Sequence, residues 1–186
     1  MKLHIKNMFS KPCKMIVKNE LNSIGLPYYY ISLGEVDILE VPTKDQYRKL
    51  KLGLLKYGLE LMVDKKEILI ELIKNTIIDM VYYIEEQPKV KNSNYISEKI
   101  EHDYTYLANV FSQETGTTIE HYIIHHKIER AKELILNHEL NLTEISYLLN
   151  YSSVAHLSKQ FKRVTGLTAS FFKNASCENR IELENV

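Results

Sequence analysis

The feature that most constrains this chain is a repeat in its second half. The segment ISEKI (96–100) leads through three polar residues into YTYLANVF, which ends at Phe111 and is followed by Gly116. Further on, ISYLL (145–149) leads through Asn150, Tyr151 and Ser152 into a stretch that ends at Phe161 and is followed by Gly166. Phe111 and Phe161 each precede their glycine by five positions; Thr118 and Thr168, then Tyr122 and Phe172, follow in step. Two copies of one helix–turn–helix unit account for this register.

Each repeated position has a physical role. Ile96 with Ile100, and Ile145 with Leu149, lie one turn apart and bury one stripe of a first helix. Asp103 and Ser152 stand where a second helix needs an N-cap. Leu107 with Phe111, and Leu157 with Phe161, bury one face of that second helix. The opposite face is then free to enter a major groove. It carries Thr105, Ala108, Asn109 and Ser112 in the first repeat, and Val154, Ala155, Ser158, Lys159, Lys162 and Arg163 in the second. Gly116 and Gly166 end the helices. Between the repeats, Thr118–Leu136 reads as one continuous linker helix, with Tyr122, Ile128, Ala131, Leu134 and Ile135 inward, expected to fix the spacing of the reading helices on adjacent grooves.

With these residues in view, positions 94–173 resemble the DNA-binding domain of the AraC/XylS family of bacterial regulators. The matching stretches are YLANVFSQETGTT (106–118), KIERAKELI (127–135) and SYLLNYSSVAHLSKQFKRVTGLT (146–168). The resemblance implies that outward residues of both second helices meet bases: Thr105, Ala108, Asn109, Val154, Ala155 and Lys159. Against the family pattern, Asn150-Tyr151 replaces the usual Gly-Phe pair, Ala169 a proline and Lys127 an arginine. Asn tolerates positive φ, so the turn is expected to survive.

Charge sets a condition on this reading. Lys plus Arg equals Asp plus Glu at 24 each, so any attraction to DNA must be local. Residues 94–173 hold eight basic against nine acidic side chains, a net of −1, yet no acidic residue of that span lies beyond Glu144. Lys159, Lys162, Arg163 and Lys173 all do. The first reading helix has no Lys or Arg between Tyr104 and Thr115, so the second repeat is expected to dominate affinity.

Residues 1–63 read as a compact α/β unit. Leu3 and Ile5 alternate with His4 and Lys6 in a short strand. Ser10 can cap a helix carrying Cys13, Val17, Leu21 and Ile24, stopped by Gly25 and Pro27. Tyr28–Leu33 and Val36–Val41 read as strands paired around Gly34-Glu35. Thr43 to Gln46 forms a capping box for a second helix ending near Gly58, and Leu59–Val63 is a last strand. The order β-α-β-β-α-β is that of a ferredoxin-like domain. This half resembles the heavy-metal-associated domains of small copper chaperones, whose metal loop is Met-x-Cys-x-x-Cys. Here the loop reads Met8 to Cys13 with Ser10 in place of the first cysteine, and one thiolate plus a hydroxyl makes a poor soft-metal site. Neither metal nor cofactor is therefore expected. Cys13, in the first turn of its helix, is read as a half-buried structural cysteine in preference to a redox or ligand sensor.

From Asp64, Leu69, Ile73, Ile77, Met80, Val81 and Ile84 form a stripe on a helix expected to run to Gln87, serving equally well as packing face or dimer contact. The expected domains are 1–63 and an all-helical 64–174, with 175–186 a frayed tail. His121 and His125, four apart beside His126, read as a solvated face, and the Tyr28 to Tyr30 run as ordinary strand. No nucleophile–base set, phosphate loop or catalytic carboxylate pair is present, so no enzyme is expected. The two cysteines, Cys13 and Cys177, suit a reducing cytoplasm. The N-terminus lacks a secretory pattern and no apolar run spans a membrane. The expected function is sequence-specific binding of double-stranded DNA that regulates transcription, with RNA polymerase and a second copy of the chain as candidate partners and the effector left open. The alternative is a metal-handling or protein-interaction module using the repeat as a docking platform.

Overall fold

In the computed structural model, residues 1–83, 90–137 and 140–174 are described. The helix end expected at Gln87, Cys177 and the expected frayed tail lie outside them. The elements run β1 (Lys2–Lys6), α1 (Lys11–Ser23), β2 (Tyr28–Ile31), β3 (Glu35–Ile38), α2 (Lys44–Leu55), β4 (Glu60–Met62), α3 (Lys65–Tyr82), α4 (Asn92–Ile100), α5 (Tyr104–Thr115), α6 (Ile119–Asn137), α7 (Leu142–Leu148) and α8 (Val154–Thr165).

The chain divides into two compact units. The first is Met1–Asp79 with Lys91–Gly116, the second Met80–Val90 with Thr117–Val186. The boundary expected at residue 63 falls inside the first unit, and the two repeats fall in different units: α4 and α5 in the first, α7 and α8 in the second.

In the first unit four short strands make an antiparallel sheet in the order β2-β3-β1-β4. Register sets Leu3 opposite Val36 and Ile5 opposite Leu61, so one sheet face is apolar. Those side chains form a core with Val17 and Leu21 of α1 and Leu50 and Leu54 of α2. The capping box that opens α2 is present. The Gln46 N–H donates to Thr43 Oγ1 at 3.2 Å, and the Thr43 N–H to Gln46 Oε1 at 3.0 Å. The strands on either side of Gly34 are shorter than expected. The chain turns at Ser32, whose N–H donates to the Glu35 carbonyl at 3.0 Å, and β3 stops at Ile38.

Ser10 stands at the N-cap of α1, but its hydroxyl caps nothing; it lies 3.1 Å from Cys13 Sγ instead. On α3 the apolar stripe Leu69, Ile73, Ile77, Met80 and Val81 is buried within the chain, which makes it a packing face; Ile84 lies outside the described residues.

In the second unit α6 packs against α7 and α8. It buries Ile128, Ala131, Leu134 and Ile135 as expected, while Tyr122 is only half-buried. Ile119, Ile123 and Lys127 are buried as well. No helix among the described residues is long and apolar enough to cross a membrane.

Candidate nucleic-acid interface

The two repeats are closed by the same set of bonds. In the first, Glu101 takes a left-handed φ of 59° after α4, and the His102 N–H returns to the Ser97 carbonyl at 3.2 Å. Asp103 then caps α5 by accepting the Tyr106 N–H at 3.1 Å. In the second, Asn150 takes a φ of 53°, and the Tyr151 N–H returns to the Ser146 carbonyl at 2.8 Å. Asparagine tolerates that left-handed backbone, so it can stand in the glycine position. The cap of α8 is Ser153, which accepts the His156 N–H at 3.1 Å. Ser152, expected in that role, is one residue too early. Ser153 precedes Phe161 by the same eight positions as Asp103 precedes Phe111, and the Ser152 hydroxyl pairs with His156 Nδ1 at 3.1 Å instead.

The helix ends match as closely. Thr115 Oγ1 donates to the Phe111 carbonyl at 2.7 Å and Thr165 Oγ1 to the Phe161 carbonyl at 2.8 Å. Gly116 and Gly166 follow at φ values of 69° and 77°. Only glycine enters that region freely. Thr118 and Thr168 next accept the N–H groups of His121 and Phe171, at 3.1 and 3.2 Å.

Burial fixes which side of each reading helix is free. On α5 Leu107 and Phe111 are buried; on α8 Leu157 and Phe161 are, with Phe161 packed edge-on against Phe172 at a centroid distance of 5.6 Å. Thr105 and Asn109 are exposed on α5, and Ala155, Lys159, Lys162 and Arg163 on α8. With about 3.6 residues per turn, Asn109 and Lys159 lie almost opposite the buried stripes. Ala108, Ser112, Val154 and Ser158 are half-buried, at the flanks of the apolar stripe and not at the centre of the free face. The Ser112 hydroxyl is turned back onto the Ala108 carbonyl. Five exposed positions escape the sequence reading: Tyr106 with its counterpart His156, Glu114 with its counterpart Val164, and Gln113, which stands where Arg163 stands in the other repeat. Carrying the repeat register through every turn of the helix finds them.

Behind α8 lies a buried cation. Lys127 of α6 is 7% exposed, and its Nζ sits 5.4 Å from the ring centroid of Tyr151. Burial pushes its pKa down to about 8. Burial likewise pushes the Tyr151 phenol up to about 12, the nearby Arg163 opposing it. A cation over an aromatic face keeps an attractive partner where no carboxylate is near. His121 and His125 are exposed on α6, bordering a shallow groove with Arg163. His126 is half-buried against Tyr122, and burial lowers its pKa.

The copper-chaperone resemblance does not extend to the donor set. The Ser10 hydroxyl and Cys13 thiol face each other at 3.1 Å, and no cluster of three His, Cys, Asp or Glu among the described residues is placed to hold a metal. One thiol and one hydroxyl do not fit Cu(I).

Residues 96–175 match the family model described as a helix-turn-helix domain. Over 77 residues the chain is 26% identical to the uncharacterized HTH-type transcriptional regulator YobQ of Bacillus subtilis, a match covering 41% of this chain and 32% of that protein. The chain thus spans about a third of the length of that curated relative. Among solved structures, the C-terminal domain of AraT, a response regulator from Geobacillus stearothermophilus, superposes with a TM-score of 0.51 at 20% identity, covering 60% of this chain and 88% of that one. A DNA-binding transcriptional dual regulator from Escherichia coli K-12 superposes at 0.50 and 15% identity, covering 59% and 93%. These two establish likeness of fold.

Proposed function

We propose that this chain, whose residues 96–175 are a helix-turn-helix domain of the AraC type, is a sequence-specific DNA-binding regulator of transcription. The observation that carries the reading is the pair of helix–turn–helix repeats closed by matching bonds, each leaving one side of its second helix to solvent.

Phosphate contacts supply most of the affinity of such proteins, and cationic side chains supply most of those contacts. On the free face of α8 stand Lys159, Lys162 and Arg163; on that of α5 stand Thr105 and Asn109, neutral hydrogen-bonding groups. The second repeat therefore dominates binding. Lys159, opposite the buried stripe, is the side chain for guanine O6 and N7, Asn109 for adenine, and Ala155 for a thymine methyl. Lys162 and Arg163 meet phosphate. Thr105 stands beside Asn109 on the contact surface, and Ala108, Ser112, Val154 and Ser158 complete it at its edges.

We read residues 1–63, with their β-α-β-β-α-β order, as a ferredoxin-like domain, and 64–174 as the DNA-binding domain. The protein works in the cytoplasm, by binding and not by catalysis, with RNA polymerase and a second copy of the chain as protein partners.

Selection from a pool of random duplexes tests the reading. Enrichment of one common sequence, bound less tightly as salt rises, supports it; a pool that stays random through repeated rounds refutes it.

A further inference from the structure

Alternation along β1 and β3 sends Leu3, Ile5, Val36 and Ile38 into the core with α1 and α2. It sends Lys2, His4, Glu35 and Asp37 to the opposite sheet face. In an open α/β domain that face would meet water. Here it forms one wall of a cavity of about 420 Å³, whose other walls include Asn75 and Asp79 of α3 and Lys99 and Glu101 at the end of α4. The whole cavity lies within the first compact unit.

Its polar groups are unevenly satisfied. Glu35 is held by Lys2 at 3.6 Å; His4 Nδ1 lies 3.5 Å from its other oxygen without a hydrogen bond, and burial lowers the pKa of that imidazole. Asp37, Asp79, Lys14 and Lys99, which also line it, make no side-chain hydrogen bond or ion pair among the described residues. Asn75 is only 3% exposed, and neither its amide nitrogen nor its amide oxygen has a hydrogen-bond partner. A buried amide with no partner is rare in folded proteins. The packing that holds it is close: a Cβ at Gly34 would collide with the Asn75 amide nitrogen.

We propose that this cavity binds a small zwitterion of the free amino-acid class. Asp37 and Asp79 attract the ammonium, and Lys14 and Lys99 attract the carboxylate. A purely anionic ligand would have to face Asp37, Asp79 and Glu101, and a purely cationic one Lys14 and Lys99. Only a molecule carrying both signs meets both sets. The volume is within the range of small-molecule sites. Glu101 is itself the left-handed residue of the turn from α4 into α5, and Lys99 stands two positions before it, so an occupant restrains the turn that aims the first reading helix. That consequence rests on the DNA-binding reading; the binding itself does not.

The test is thermal melting of the full chain with each of the twenty L-amino acids in turn, and with acetate and methylammonium separately. At about 100 times its dissociation constant, at least one amino acid should raise the midpoint by about 5 °C, while acetate and methylammonium do not. The shift should vanish in the double variant Asp37→Asn/Asp79→Asn. Should that variant fail to fold, Lys99→Gln must reduce the shift at least by half. No shift with any amino acid, an equal shift with acetate or methylammonium alone, or a shift untouched by these substitutions overturns the proposal. Loss of duplex selection with the amino-acid shift intact would overturn the DNA reading alone; the reverse would overturn only this site.

Discussion

Lys127 makes stability depend on pH in a direction opposite to that of most cations. In the unfolded chain a lysine keeps its proton up to a pH of about 10.4. Burial beside Tyr151 brings Lys127 down to about 8. Below that pH both states are protonated, and the buried charge carries its full cost. Between pH 8 and about 10 the unfolded chain binds more protons than the folded one, so stability rises with pH, by up to about 1.4 kcal/mol per unit. Near pH 10 the rise ends, because tyrosines ionise in the unfolded chain while Tyr151 holds its proton to about 12. Integrated over the shift, the charge costs about 3 kcal/mol at neutral pH, net of its contact with the aromatic face, and a methionine that packs imperfectly in its place recovers part of that. Lys127→Met, of similar length and uncharged, should therefore raise stability at pH 7 by about 1–2 kcal/mol and flatten the rise between pH 8 and 10. Urea unfolding followed by the helical circular dichroism signal at pH 7, 8, 9 and 10 reads both effects, the difference between the two proteins isolating the residue. Parallel stability curves for wild type and variant would refute the assignment of a buried, charged Lys127.

Phe161→Ala should cost about 3–5 kcal/mol by opening a cavity against Phe172, while Lys159→Ala, on the free face, should stay within about 0.5 kcal/mol; calorimetry of the two variants decides whether α8 is oriented as described. Ser153→Ala should cost about 1 kcal/mol by removing the cap of α8, and Ser152→Ala less than half of that, measured by the same melts. Ser10→Cys should create Cu(I) binding measurable by competition with a chromophoric chelator, since it restores the missing thiolate; near-stoichiometric copper on the unaltered protein would contradict the donor-set argument.

The helical half of the fold is legible in sequence because its signals are local and doubled. Buried stripes such as Leu107 with Phe111 and Leu157 with Phe161 share one spacing, and glycines at matched offsets end both helices. What fails is register at the level of one residue. Two adjacent serines at 152 and 153 offer the same hydroxyl, and only the helix start decides which one caps. The half-burial of Ala108, Ser112, Val154 and Ser158 escapes for a related reason: periodicity gives the centre of a stripe better than its width. Lys127 shows only its place in the family pattern, because a lysine on a helix gives no sign of burial until its neighbours are known. In the N-terminal half, the apolar alternation and the capping box at Thr43 point to the elements. The cavity against the polar sheet face depends on α3 and α4, far along the chain, and no short-range pattern announces it.

The central claim, that α8 delivers the dominant contact with DNA, is tested most directly by the salt dependence of binding to the selected duplex, measured by fluorescence anisotropy. The wild type should lose affinity steeply between about 50 and 200 mM salt. Lys162→Ala should lower the slope of log affinity against log salt by about one, with all sequences weakened alike. Lys159→Ala should relax preference at one base pair by about 1–3 kcal/mol, and Asn109→Ala should do less than either. An affinity indifferent to salt, with all three variants silent, would contradict the account; loss of binding in Asn109→Ala with Lys159→Ala unaffected would move the dominant reader to α5.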